Sequence, residues 1–134
     1  MQPKSSKYRK SHRGRRKGVS TRGSNVDFGE YGLKSLGRGW LSAKQLEAAR
    51  RAIANTTSRG GKVWLRVFPQ KPITSRGPGV RMGGGKGDVS GYVAVITPGR
   101  IIFEIAGIDQ ELAKVAFRKA SAKLPFKTTM VERH

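Results

Sequence analysis

The period of the hydrophobic positions changes several times along this chain, and each change marks an element. Val26, Phe28, Tyr31, Leu33 and Leu36 alternate imperfectly over 26–36, with glycines between them, and predict an extended segment. A helix follows with a clear start. Ser42 is the expected N-cap, Gln45 three residues on completes a capping box, and Leu41 and Leu46 flank it as a hydrophobic staple. Leu46, Ala49 and Ile53 then recur at helical spacing until Arg59-Gly60-Gly61, where glycine tolerates the left-handed backbone that ends helices. Over 62–68 the period becomes two, with Val63, Leu65 and Val67 set against Trp64, Arg66 and Phe68, as on a strand with one buried face.

Two further apolar runs, 91–97 and 100–106, predict strands, and Pro98-Gly99 between them predicts a hairpin turn. A second helix is expected over 109–123, with Asp109 as N-cap, Leu112, Val115, Ala116, Ala120 and Leu124 on its inner side, and Pro125 as its stop. Residues 126–131 read as a last strand. The order β-α-β-loop-β-β-α-β predicts an α+β fold, with two helices packed on a mostly antiparallel sheet.

Residues 69–90 carry no periodic pattern and hold three prolines (Pro69, Pro72, Pro78) and six glycines. They read as one long connection, and loops beyond about 12–15 residues are uncommon in compact domains unless they work. This one carries Lys71, Arg76, Arg81 and Lys86 against Asp88 alone.

Charge changes the picture most. Of 134 residues, 28 are Lys or Arg and 8 are Asp or Glu, a formal net charge of +20. Self-repulsion of that size opposes compactness until a polyanion neutralises it. The imbalance is greatest in residues 1–25, where Lys4, Lys7, Arg9, Lys10, Arg13, Arg15, Arg16, Lys17 and Arg22 stand without one acid. Too few apolar side chains accompany them to build a core, so this segment is expected to be an extended tail, with residues 26–134 forming one globular domain. Solvated faces normally mix charge signs, so a run of cations alone points to nucleic-acid phosphates. Arg38, Arg59 and Lys71 extend the expected cationic contact set into the globular part. No apolar run reaches the roughly 18 residues of a membrane span, no long amphipathic helix suits a membrane surface, and the basic N-terminus has no apolar segment behind it. The chain has no cysteine, which removes disulfides and thiolate chemistry.

Catalytic signals fail on inspection. Gly83-Gly84-Gly85-Lys86-Gly87 invites a phosphate-loop reading, but Val80 stands where the first glycine is needed and Gly87 where Ser or Thr is needed. The stretch instead reads as backbone able to approach a phosphate chain closely, with Arg81 and Lys86 as counter-charges. His12 lies in the tail and His134 at the end of the chain, with no carboxylate at a defined spacing from either. Asp109 and Glu111 suit a helix N-terminus. Glu104, inside an apolar strand, is expected on an outer face or paired with an arginine. Trp64 and Phe103 read as core, while Trp40, beside Arg38, suits either a core or a base-stacking role. No acid–base couple emerges, so neither an enzyme nor a cofactor is expected.

Composition alone leaves an architectural DNA-binding protein open beside an RNA-binding one. Resemblance separates them. The tail PKSSKYRKSHRGR, FGEYGLKSL at 28–36, LSAKQLEAARRAI at 41–53, RGGKVWLRVFPQKPIT at 59–74, VRMGGGKG at 80–87, TPGRIIFEIAG at 97–107 and SAKLPFKT at 121–128 occur in order. Together they resemble the large-subunit ribosomal protein sixteen family of bacteria and organelles over essentially the whole chain. The chain departs from the family pattern at Arg76-Gly77, Pro78, Gly79 and Tyr92. The resemblance implies a non-catalytic component of the large ribosomal subunit in cytoplasmic or organellar ribosomes, with large-subunit ribosomal RNA, tRNA and neighbouring ribosomal proteins as partners and no homo-oligomer. It further implies that Arg76, Arg81, Met82, Gly83, Gly84, Gly85 and Lys86 form a loop near tRNA at the aminoacyl and peptidyl sites.

Overall fold

Ser42 closes a strand and opens a helix in the same residue. In the computed structural model, which describes residues 2, 23–58, 60–75 and 88–133, strand β2 (Gly39–Ser42) runs directly into helix α1 (Ala43–Thr56). The capping box is formed: Ser42 Oγ accepts from Gln45 N at 3.1 Å and Gln45 Oε1 accepts from Ser42 N at 3.0 Å. Leu46, Ala49 and Ile53 face inward as their spacing predicts. Helix α2 (Gln110–Ser121) starts on Asp109, whose Oδ1 accepts from Leu112 N at 2.8 Å. Its buried face is Ala113, Ala116, Phe117 and Ala120, rotated by one residue from the expected stripe, so that Leu112 and Val115 are only half-buried.

The fold is α+β, with every strand pair antiparallel. The strands divide between two sheets. One has the order β3 (Lys62–Leu65), β6 (Ile101–Ala106), β1 (Tyr31–Ser35), β7 (Thr128–Glu132); the other has β2, β5 (Asp88–Ile96), β4 (Lys71–Ser75). Leu33, Phe103 and Ile105 from the first sheet and Leu41, Ala94 and Ile96 from the second join the two helices in one core cluster.

Three expectations change. The extended segment over 26–36 is a strand only from Tyr31, and β2 follows it as a separate strand. The 69–90 connection is not bare loop, because strands β4 and β5 occupy its two ends. Pro72 fits a strand because β4 is a sheet edge, where a missing N–H breaks no ladder; it stands opposite Tyr92. The Pro98-Gly99 turn does not make a hairpin. Arg100 N donates to Thr97 O at 3.3 Å and Gly99 has φ 93°, a turn that splays its flanking strands rather than pairing them. Gly99 N is held by Ser35 O at 2.8 Å, so β5 passes into one sheet and β6 into the other.

Candidate nucleic-acid interface

The divergence of β5 and β6 opens a cleft of about 830 Å³ where the two sheets part. In the three-stranded sheet Trp40 stands opposite Val95, and Lys71 opposite Val93. Strand alternation puts these four on one face, away from Leu41 and Ala94 in the core. Lys71 Nζ lies 5.2 Å from the Trp40 ring centroid, a cation–π contact. From beside the other sheet come Arg66 and Phe68, which follow β3, and Arg100, which precedes β6. Among the described residues the lining holds three cations and no acid, and Phe68 and Val95 keep more than two-fifths of their surface in solvent. Burial, then the nearby Arg66 guanidinium, lower the Arg100 pKa from its ordinary value, though an arginine remains charged. Such a cleft, with cationic side chains in its lining and apolar walls, suits a phosphate-bearing chain with exposed bases.

One wall of the cleft is continuous with a strap over the outer face of the four-stranded sheet. Gly23, just after the last cation of the basic tail, packs so closely on Arg100 that a Cβ there would lie 2.3 Å from Nη1, and Gly23 O accepts from Ile101 N at 2.8 Å. Residues 25–29 then cross Glu104. Its Oε1 accepts from the backbone N–H groups of Asp27 (2.9 Å), Phe28 (2.8 Å) and Gly29 (2.9 Å). Its Oε2 accepts from Arg66 Nη1, and Arg66 reaches on to Asp27 Oδ2 at 3.3 Å and Asn25 O at 3.2 Å. Glu104 is fully buried. Burial pushes its carboxyl up, but the Gly29 N–H, the Arg66 guanidinium and the Phe28 N–H outweigh that and hold the pKa below the ordinary carboxylate value. Gly29 is required by closeness, since a Cβ there would meet Ile105 O at 2.7 Å. The expected arginine pair of Glu104 is therefore present, and the carboxylate has a structural task.

Of the expected contact residues, the structure brings Lys71 to the cleft, while Arg38 is exposed just before β2. Lys4, Lys7, Arg9, Lys10, Arg13, Arg15, Arg16, Lys17, Arg22 and Arg59 lie outside the described residues, as do Arg76, Arg81, Met82, Gly83, Gly84, Gly85 and Lys86. His12 and His134 lie outside them too. Phe103 is core, as its pattern predicts, whereas Trp64 is only half-buried. Arg66, Phe68 and Arg100 were not among the expected contact residues. Their signal is weak but real: each is a cation or aromatic on the solvent side of an apolar run, and only the fold shows that they converge. Among the described residues no cluster of three or more His, Asp or Glu could hold a metal, and no helix is long and apolar enough to cross a membrane.

Comparison with known proteins shows the family. The family model for ribosomal protein L16p/L10e matches residues 3–131. The large ribosomal subunit protein uL16 of Polaromonas naphthalenivorans (strain CJ2) is 58% identical over 133 residues, covering 99% of this chain and 96% of the relative. Those of Albidiferax ferrireducens and Paracidovorax citrulli (strain AAC00-1) are each 56% identical over 133 residues, with the same coverage.

Proposed function

Because the chain belongs to the ribosomal protein L16p/L10e family, we propose that it is a structural constituent of the large subunit of cytoplasmic ribosomes, that it binds large-subunit ribosomal RNA, and that it performs no catalysis. The observation that carries the RNA-binding reading is the inter-sheet cleft, with Arg66, Lys71 and Arg100 in its lining, no acid among the described lining residues, and the exit of a tail with nine cations at its wall. The tail, residues 1–25, supplies phosphate contacts that carry affinity and salt dependence but little sequence information. The globular part, residues 26–134, carries the cleft, and Gly23, just beyond the cationic run, lies against Arg100 at its wall. Neighbouring ribosomal proteins share the remaining surface.

The segment 76–87, between β4 and β5, supplies the tRNA-facing element in this reading. Arg81 offers a planar fork that holds a phosphate bidentately or stacks on a base, and the glycines after it allow close backbone approach. The test is a crosslinking map on intact ribosomes. Adducts from the tail and from Lys71 should fall on large-subunit RNA, and adducts from 76–87 on tRNA. Tail adducts confined to protein would refute the RNA role, and a loop that never links to tRNA would refute the tRNA role alone.

A further inference from the structure

Away from the cleft, the outer face of the four-stranded sheet carries a second aromatic and cationic group. Trp64 in β3 stands opposite Glu104 in β6, and Phe28 in the strap donates its N–H to that same carboxylate. The buried carboxylate thus fixes the Phe28 backbone, and the β3–β6 pairing sets Trp64 beside it. They stack with centroids 6.3 Å apart and planes 24° apart. Lys62 Nζ lies 5.2 Å from the Trp64 centroid and Arg66 Cζ 5.0 Å from that of Phe28. Phe28 nevertheless remains 57% exposed, the most exposed large hydrophobic side chain among the described residues.

We propose that Phe28, backed by Trp64, is a stacking platform for an unpaired RNA base, whose flanking phosphate is met by Lys62. The proposal rests on the RNA-binding reading above and adds a site and a ligand class to it. A phenyl ring left this exposed loses apolar burial, and it is not exposed through looseness: its backbone is pinned by a buried carboxylate and its neighbour Gly29 admits no side chain. A rigid, solvent-facing ring on a rigid second ring is what base stacking needs, because every base offers a π-face and little ordering remains to be done on binding. Charge selects RNA over an apolar protein partner. Arg66 is balanced by Glu104 and Asp27, and exposed Lys62 adds a cation at the edge of the platform on a chain of net charge +20.

The test uses the full-length chain with two probes, a short single-stranded RNA carrying 5-iodouridine and a blunt-ended RNA duplex of the same length. Phe28→Ala should weaken single-strand binding about tenfold, the lower part of the range for loss of one aromatic–base stack. It should leave duplex affinity, the salt slope and the melting temperature as in the wild type, since no phosphate contact is lost. Phe28→Leu, which still covers Trp64 but has no π-face, should behave like alanine, and Phe28→Trp should retain binding. Irradiation of the single-strand complex should attach iodouridine to the peptide containing Phe28. Equal single-strand affinity in wild type and Phe28→Ala, or rescue by leucine, would overturn the platform while leaving the RNA-binding reading standing. A wild type that binds neither probe would overturn that reading itself.

Discussion

Arg66 and Glu104, from adjacent strand lines of one sheet, form an ion pair that lies beneath the chain rather than on its surface: the Arg66 side chain is 14% exposed and that of Glu104 is wholly buried. The carboxylate accepts three backbone N–H groups on one oxygen and the guanidinium on the other. Burying a carboxylate alone costs several kcal/mol, so the donors must outweigh that cost together. Removing the charge should expose the dependence. Glu104→Gln is expected to destabilise the fold by about 2–4 kcal/mol, since it leaves a largely buried guanidinium undercompensated and weakens the strap's anchor. Urea unfolding midpoints measure this, and a loss below about 0.5 kcal/mol, the size of an ordinary surface change, would show that the strap is held by something else.

The same carboxylate predicts an acid limb. Its pKa in the folded protein is lowered, so the unfolded chain binds its proton first as pH falls. The stabilisation is therefore complete above the ordinary Glu value of about 4.3 and is lost as pH drops through the lower folded value. Glu47, held at about 2 by its hydrogen bond to Arg50, against some burial, and then by the Arg50 charge and Arg51, acts with the same sign. Its pair is partly exposed and contributes little. Unfolding midpoints measured downward from neutral pH should fall more steeply in wild type than in Glu104→Gln, and parallel curves would contradict the assignment.

Ser42→Ala removes the side-chain half of the capping box on α1 and should cost about 1 kcal/mol. RNA affinity should hardly move, because Ser42 faces the helix N-terminus rather than the cleft. Loss of RNA binding at an unchanged melting temperature would make Ser42 a contact residue instead.

The legible and illegible parts of this chain divide by the range of the interactions. The Ser42–Gln45 box and the Asp109 cap act over three residues and leave a mark in sequence, as do the helical spacing of Leu46, Ala49 and Ile53 and the buried Phe103. The pairing of β5 is not local. Pro98-Gly99 marks a turn correctly, but a turn does not say whether its arms pair with each other, and these join different sheets. Pro72 conceals β4 because proline argues against strands except at edges, and edge status belongs to the sheet. The cleft was half legible: Lys71 stood out as a cation in a Pro/Gly-rich segment, whereas Arg66 and Arg100 sit in apolar strand sequence and meet through a sheet divergence that no motif records. Glu104 is the extreme case, its main partners being backbone N–H groups 75–77 positions away.

Arg81→Ala tests the tRNA-facing reading. Cleft and tail should still bring the protein into the subunit, so incorporation should stay near wild type while aminoacyl-tRNA accommodation slows. Arg81→Lys should recover only part of the rate, because the charge returns without the planar fork. Wild-type accommodation at full occupancy would remove Arg81 from the tRNA role, and failure to incorporate would make it an assembly contact.

In the proposed function, phosphate contacts hold this chain in the large ribosomal subunit. Sucrose-gradient sedimentation of a cell lysate at stepwise increasing salt tests it most directly. The full chain should travel with the large subunit at low salt and leave it only at high salt. A chain lacking residues 1–22 should remain folded but leave at lower salt, because each lost phosphate contact flattens the salt slope by roughly 0.7–0.9. A full-length chain found at the top of the gradient at every salt concentration, or one released by DNase rather than by salt, would contradict the account.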